Sequence, residues 1–152
     1  MAYLRARRPG VRLSGLDAST EMVRLARNAQ PEAQIVVGDL ATLPFDAEQF
    51  GGVLAWYSII HSPPADLAQV FAEVHRVLRP GGKALFAFQS GTGSRTIANA
   101  YGHDVELQAF LHSTSELTPA LRTARLEVDT VLDRPARDSE KYPQGFIIAA
   151  RA

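Results

Sequence analysis

Two aspartates and a histidine carry the clearest chemical possibilities in this sequence. In residues 11–45, VRLSGLDASTEMVRLARNAQPEAQIVVGDLATLPF, one apolar run ends on Asp17, a helix-forming stretch follows, and a second apolar run ends on Asp39. Carboxylates that end successive strands of an open α/β sheet face the crevice where such sheets hold ligands, so both can accept hydrogen bonds from one nucleotide-like molecule. Each acid could instead cap the backbone that follows it. His61 comes just after a third apolar run, FGGVLAWYS. A neutral imidazole there could take a proton from a substrate hydroxyl near neutral pH, or it could pack against the next helix. Trp56 and Tyr57 precede it and alternate across the strand, so one of them can line a pocket while the other joins the core. His75 falls inside a helical stretch and reads as structural, whereas His103, in GHDVEL, is a weaker candidate for the substrate side.

These residues need a scaffold, and local patterning supplies one. AYLRARR reads as the last turns of a helix stopped by Pro9 and Gly10. VRLSGL is a strand. Ser19 is a natural N-cap for a helix whose Met22, Leu25, Ala26 and Ala29 are spaced to cover one face before Pro31 ends it. QIVVGD closes a βαβ unit, and its continuous apolar residues suit a parallel strand buried on both faces. After the strand FGGVLAWYS, the segment IIHSPPADLAQVFAEVHRVLRPGG carries the strongest helical stripe: Leu67, Val70, Phe71, Val74, Val77 and Leu78. Pro63 and Pro64 fit its first turn, and Pro80-Gly81-Gly82 stops it. KALFAF is the next strand, leaving Gln89 and Ser90 at its end. SGTGS, with its single G-x-G, reads as a flexible loop because no acid answers it about 20 residues on. YGHDVELQAFLHS reads as a connecting segment and STSELTPALRTA as a short helix. RLEVDTVLD and GFIIAARA, joined by PARDSEKYPQ, make an antiparallel pair.

Composition narrows the function. The chain has 152 residues, 46% of them hydrophobic, which suits one domain over residues 1–152. Sixteen basic residues balance sixteen acidic ones, so no net field draws in nucleic acid or an anionic membrane. The basic start, MAYLRARR, lacks the apolar core of a signal peptide, and no run of about 20 apolar residues is present, which points to a cytoplasmic protein. With no cysteine, disulfides and thiolate chemistry are excluded, and the histidines at 61, 75, 103 and 112 lack metal-site spacing, so no metal is expected.

Taken in order, GLDAS, GDLATLPF, FGGVLAWYSIIH, HRVLRPGG, GHDVEL and EKYPQGFIIAAR resemble the class I S-adenosylmethionine (SAM)-dependent methyltransferases of the small-molecule type. The resemblance implies a Rossmann-like α/β sheet, mostly parallel, closed by a C-terminal antiparallel hairpin. It also implies SAM as cofactor, with Asp17 and the adjoining Ala18 at the ribose, Asp39 and Leu40 beside the adenine, and His61 or Tyr57 orienting or deprotonating an acceptor oxygen or nitrogen. Three departures stand out. Gly51 occupies a position where relatives often carry Asp, consistent with a solvent-facing strand start. SPPA at 62–65 lacks the acid or amide and the aromatic of the N/D-P-P-Y element of amino-methylating enzymes, and reads as a helix start. No E/D-x-G-x-G-x-G loop is present, so the sheet is expected to lack the family's first strand; if only a form extended upstream binds the cofactor, Met1 is an artificial start or the chain a degenerate copy. The open strand edges would then favour self-association, and the hold on the cofactor's methionine end would be weak. Two other readings stay open on the same residues: a non-catalytic partner subunit that keeps the fold, and an NAD-dependent oxidoreductase in which Asp17 holds an NAD ribose.

Overall fold

A computed structural model describes residues 2–8, 10–97 and 106–152. The chain divides into two compact units, Met1–Pro44 and Phe45–Ala152.

The first unit is built from α1 (Ala2–Arg7), β1 (Ser14–Asp17), α2 (Thr20–Ala29) and β2 (Gln34–Val37). As the sequence predicts, Ser19 caps α2, its Oγ accepting from the Met22 amide at 3.3 Å. β1 and β2 pair in parallel with Asp17 opposite Val37, the arrangement a βαβ unit demands. Arg27 ties helix to strand by donating its Nε–H to the Ile35 carbonyl at 2.8 Å. Two expectations fail here. The buried face of α2 centres on Val23 at 1% exposure, while Leu25 is 46% exposed. In β2, which among the described residues pairs with β1, only Ile35 is fully buried and Val37 is 45% exposed.

The second unit holds a four-stranded sheet in the order β3-β4-β8-β7. Its strands are β3 (Phe50–Trp56), β4 (Leu78–Gln89), β7 (Leu126–Arg134) and β8 (Gln144–Arg151). β3 and β4 run parallel, while β4–β8 and β8–β7 are antiparallel, so the α/β sheet is mixed and closes on the expected C-terminal hairpin. The polar loop of that hairpin is fixed by Arg134, whose guanidinium donates to both Glu140 oxygens at 2.6 Å. This pairing, helped by the Arg137 amide, holds the Glu140 carboxyl down to about 2.

α3 (Leu67–Val77) presents its predicted stripe to the core: Leu67, Val70, Phe71, Val74, Val77 and the following Leu78 are all 3% exposed or less. A short 3-10 turn, Pro64–Asp66, leads into it with Pro64 at the first position, as the helix-start reading of SPPA requires. The helix ends earlier than Pro80 suggests, because Leu78 already pairs with Phe50 and begins β4. Arg151, from the end of β8, then reaches the freed carbonyls and donates Nη1–H to Leu78 O at 2.6 Å. Phe71 and Phe86, both at 0% exposure, meet edge to face with ring centres 5.3 Å apart. Gly145 is required by packing: it pairs with Phe88 across β4–β8, and a Cβ there would run into the Phe88 ring. Gly51, by contrast, is exposed with nothing within 4 Å of a Cβ, in keeping with a solvent-facing strand start.

Two strands were not anticipated, one before the expected connecting segment and one inside it. β5 (Ser94–Ile97) and β6 (Leu107–Phe110) form a separate antiparallel pair, and α4 (Thr114–Thr123) follows, capped by Ser113. Each new strand is four residues long, too short for alternation to stand out locally. The G-x-G before β5 is a bend, with Gly91 and Gly93 at φ 149° and 87°. Among the described residues no helix is long and apolar enough to cross a membrane.

Candidate functional site

In the first unit, Asp17 and Asp39 stand at the same carboxyl edge of the β1–β2 pair. Asp17 is the last residue of β1, and the Gly38 amide donates to its carbonyl at 3.1 Å, which brings the chain leaving β2 alongside. Asp39 follows immediately. Gly38 is small for a reason: a Cβ would come within 2.6 Å of Leu16 Cδ1. Both carboxylates are exposed. Asp17 Oδ1 accepts from the Ser19 amide at 2.8 Å, and Asp39 Oδ1 accepts from the Ala41 amide at 2.6 Å. These local turns fix the side-chain directions, while each second oxygen has no partner among the described residues and can accept from a ligand. The capping role and the ligand role are therefore compatible, one oxygen for each. Ala18 is exposed and Leu40 half-buried beside them.

In the second unit, Tyr57 and His61 border a cavity of about 430 Å³, also lined by Ile60, Gln89, Arg95, Ile97 and Leu107. That volume suits a small organic molecule. The turn after β3 places the first two. Tyr57 adopts φ 54°, a left-handed conformation that costs a non-glycine residue roughly 1 to 2 kcal/mol. Its amide nonetheless keeps a 2.9 Å bond to the Ala87 carbonyl of β4, so the reversal of chain direction is anchored. A 3-10 turn, Ile59–His61, follows; Ile59 and Ile60 are buried and leave His61 exposed at its end.

Both side chains are oriented. The Tyr57 hydroxyl donates to Gln144 Oε1 at 2.6 Å, and Gln144, 3% exposed, is itself fixed by donating Nε2–H to the Tyr142 carbonyl at 2.7 Å. Burial raises the Tyr57 pKa above its ordinary value, with Glu140 adding to the effect, so the phenol keeps its proton near neutral pH. His61 Nδ1 lies 3.2 Å from the Gln108 carbonyl of β6. A carbonyl only accepts, so Nδ1 carries the proton and Nε2 keeps its lone pair, the tautomer of a base. Of the two, His61 is equipped to remove a proton and Tyr57 to orient.

Trp56 does not join the core. It is 56% exposed, with its ring edge-on to Tyr57 at 5.4 Å, because β3 has one strand partner and its outer side carries no cover among the second unit's described residues. His75 sits in the last turn of α3, where burial and the charges of Arg151 and Arg125 lower its pKa. His103 lies outside the described residues.

Sequence reading missed two residues. Arg95 enters the cavity wall from β5, a strand with no clear local signature. His112 is 2% exposed and donates Nε2–H to the Ile59 carbonyl at 3.1 Å, bracing the turn that presents His61. Burial lowers its pKa, so it is a neutral structural pin. An imidazole flanked by apolar Leu111 and Phe110 was the available signal.

The geometry can be set beside known proteins. The family profile described as "Methyltransferase domain" matches residues 1–82, more than half of the chain. Demethylmenaquinone methyltransferase of Chlorobaculum tepidum is 38% identical over 84 residues, 55% of this chain and 34% of that protein. Malonyl-[acyl-carrier protein] O-methyltransferase of Salmonella typhimurium is 35% identical over 80 residues, 53% of this chain and 31% of that protein. The chain thus spans about a third of the length of these curated relatives. In fold, it superposes on a SAM-dependent methyltransferase from Methanosarcina mazei with a TM-score of 0.80 at 21% identity, covering 98% of this chain and 86% of the other. Profile, relatives and fold agree, and the chain belongs to the methyltransferase-domain family, the class I SAM-dependent methyltransferases.

Proposed function

We propose that this protein transfers a methyl group from SAM to an oxygen or nitrogen of a small-molecule acceptor, its two units working as one methyltransferase domain. The observation that carries this reading is the pair of exposed carboxylates at one sheet edge, each held by a backbone amide through one oxygen and open at the other. Such acceptors suit the ribose hydroxyls and adenine amine of SAM, with Asp17 and Ala18 at the ribose and Asp39 and Leu40 beside the adenine. Bound SAM would supply an electrophilic methyl on a sulfonium. The cavity of the second unit would take the acceptor. The names of the curated relatives, a demethylmenaquinone and a malonyl-carrier methyltransferase, fit an acceptor of this kind.

The chain's own part is largely positioning. An acceptor hydroxyl can donate to His61 Nε2, which is placed to take its proton while Nδ1–H stays on the Gln108 carbonyl; SAM, when bound, would supply the methyl group and leave as S-adenosylhomocysteine. The Tyr57 oxygen, its proton committed to Gln144, can accept from the acceptor and fix its angle. Ile60, Ile97 and Leu107 give the cavity apolar walls against which the body of an acceptor would pack. We further propose that the chain self-associates through β3, which has one strand partner and exposes Leu54 and Trp56 at 51% and 56%.

Calorimetric titration with SAM, S-adenosylhomocysteine and NAD tests the reading. Binding of the first two without the third is expected. NAD binding without SAM would replace it with an oxidoreductase, and no binding of any would leave a non-catalytic partner subunit.

A further inference from the structure

Arg95 carries a charge that the cavity leaves unanswered. Its residue is half-buried in β5, and its Nε is fully buried with no hydrogen-bond partner. One terminal nitrogen, Nη2, donates to Gln89 Oε1 at 2.7 Å, and the guanidinium lies over the Tyr142 ring at 5.1 Å. No carboxylate among the described residues pairs with it. Arg134, by contrast, makes a bidentate pair with Glu140, and Arg151 pairs with Glu48. A guanidinium partly withdrawn from water without an anion is costly, and its orphaned buried Nε–H adds to that cost. Where such a group faces a cavity walled by Ile60, Ile97 and Leu107, the missing anion has room to enter with a ligand.

We propose that the acceptor is an organic acid: a molecule with an apolar body whose carboxylate pairs with Arg95, while its nucleophilic oxygen or nitrogen lies toward His61. This rests on the reading of the cavity as the acceptor site. Gln89 and Tyr142 position Arg95, one by accepting from Nη2 and the other by offering a ring face, so the planar fork is pre-set before an acid arrives. Two ends of the acceptor are then distinguished by chemistry. The charged end is anchored at the guanidinium, and the reacting end remains neutral until His61 Nε2 takes its proton. An acid held this way cannot turn around without taking its carboxylate away from the guanidinium.

The test uses hydroxybenzoates as probes, with the matching hydroxybenzamides as uncharged counterparts, in titrations of the full chain followed by calorimetry. The wild type should bind at least one hydroxybenzoate isomer about tenfold or more tightly than its amide, and the preference should weaken with added salt. Arg95→Met should erase the preference while leaving amide binding within about twofold. Arg95→Gln, which keeps hydrogen-bond donors without the charge, guards against misfolding of the first variant and should also lose the preference. Equal binding of acid and amide by the wild type, no binding of either, or an acid preference that survives both substitutions would overturn the proposal. SAM titrated into the same samples separates the two levels: SAM binding without Arg95-dependent acid binding sinks this inference alone, and the converse sinks the methyltransferase reading while the acid site stands.

Discussion

Replacing Asp17 by Ala and, separately, by Asn divides the two jobs assigned to one carboxylate. Oδ1 accepts from the Ser19 amide at 2.8 Å, a local bond that organises the entry to α2, and its loss in Asp17→Ala should cost about 1 kcal/mol of stability. Asn keeps a carbonyl oxygen in that place, so Asp17→Asn should lose only a few tenths of a kcal/mol. The ligand-facing job depends on charge. A hydrogen bond to a charged group contributes about 1.5 to 3 kcal/mol, so losing one such bond predicts a fall in SAM affinity of roughly tenfold to a hundredfold in either variant. The first measurement is urea unfolding of the three proteins, and the second is calorimetric titration with S-adenosylhomocysteine, which shares the ribose and does not react. The expected pattern is Ala destabilised, Asn nearly native, and both weak binders. If Asp17→Ala binds as tightly as the wild type while losing stability, the carboxylate is a helix-entry cap and nothing more, and the cofactor assignment of this sheet edge is wrong.

Three further outcomes can be measured. His61→Ala should lower turnover by about a hundredfold or more with an acceptor hydroxyl while cofactor binding survives, and activity within about twofold of wild type would remove the base. Stability should fall as pH drops below 6.5: the pKa of buried His112 is lowered in the fold, so the unfolded chain binds the proton first, and the contribution is complete above 6.5 and lost on acidification through the folded value. His75 adds the same sign, and Glu140, held to about 2, adds its own loss only below 4.5. Equal urea midpoints at about pH 7.5 and about pH 5.5 would contradict this. Light scattering should show self-association that weakens when Trp56 and Leu54 become Lys, since charge on an exposed strand opposes edge pairing; a monomer at every concentration would refute it.

Much of the fold was legible because it is local. Ser19 and Ser113 cap their helices through bonds three residues long, and the α3 stripe repeats within single turns, so neighbouring residues specify them. Asp17 and Asp39 were readable for the same reason, each ending an apolar strand next to a turn it helps to form. Where the reading slipped, a neighbour distant in sequence had decided the matter. Leu25 and Val37 suited a buried face but remain exposed, because exposure depends on which elements cover them. Trp56 remains exposed in the same way, on a strand with one partner.

The sequence by itself determined the order of strands and helices apart from β5 and β6, the Ser19 cap, the paired acids and the family. Tertiary structure alone decided the cavity bordered by Tyr57 and His61. The tautomer of His61 is set by a carbonyl 47 residues away, and the hydroxyl of Tyr57 by an amide 87 residues away. His112 braces Ile59 across 53 residues. Arg95 is an unremarkable surface-type residue in SRTI until β5 pairs with β6 and its Nε is sealed from water. Periodicity and capping register interactions within a few residues along the chain, whereas desolvation and hydrogen-bond direction arise only when remote segments close around a side chain, and those two quantities give these residues their chemistry.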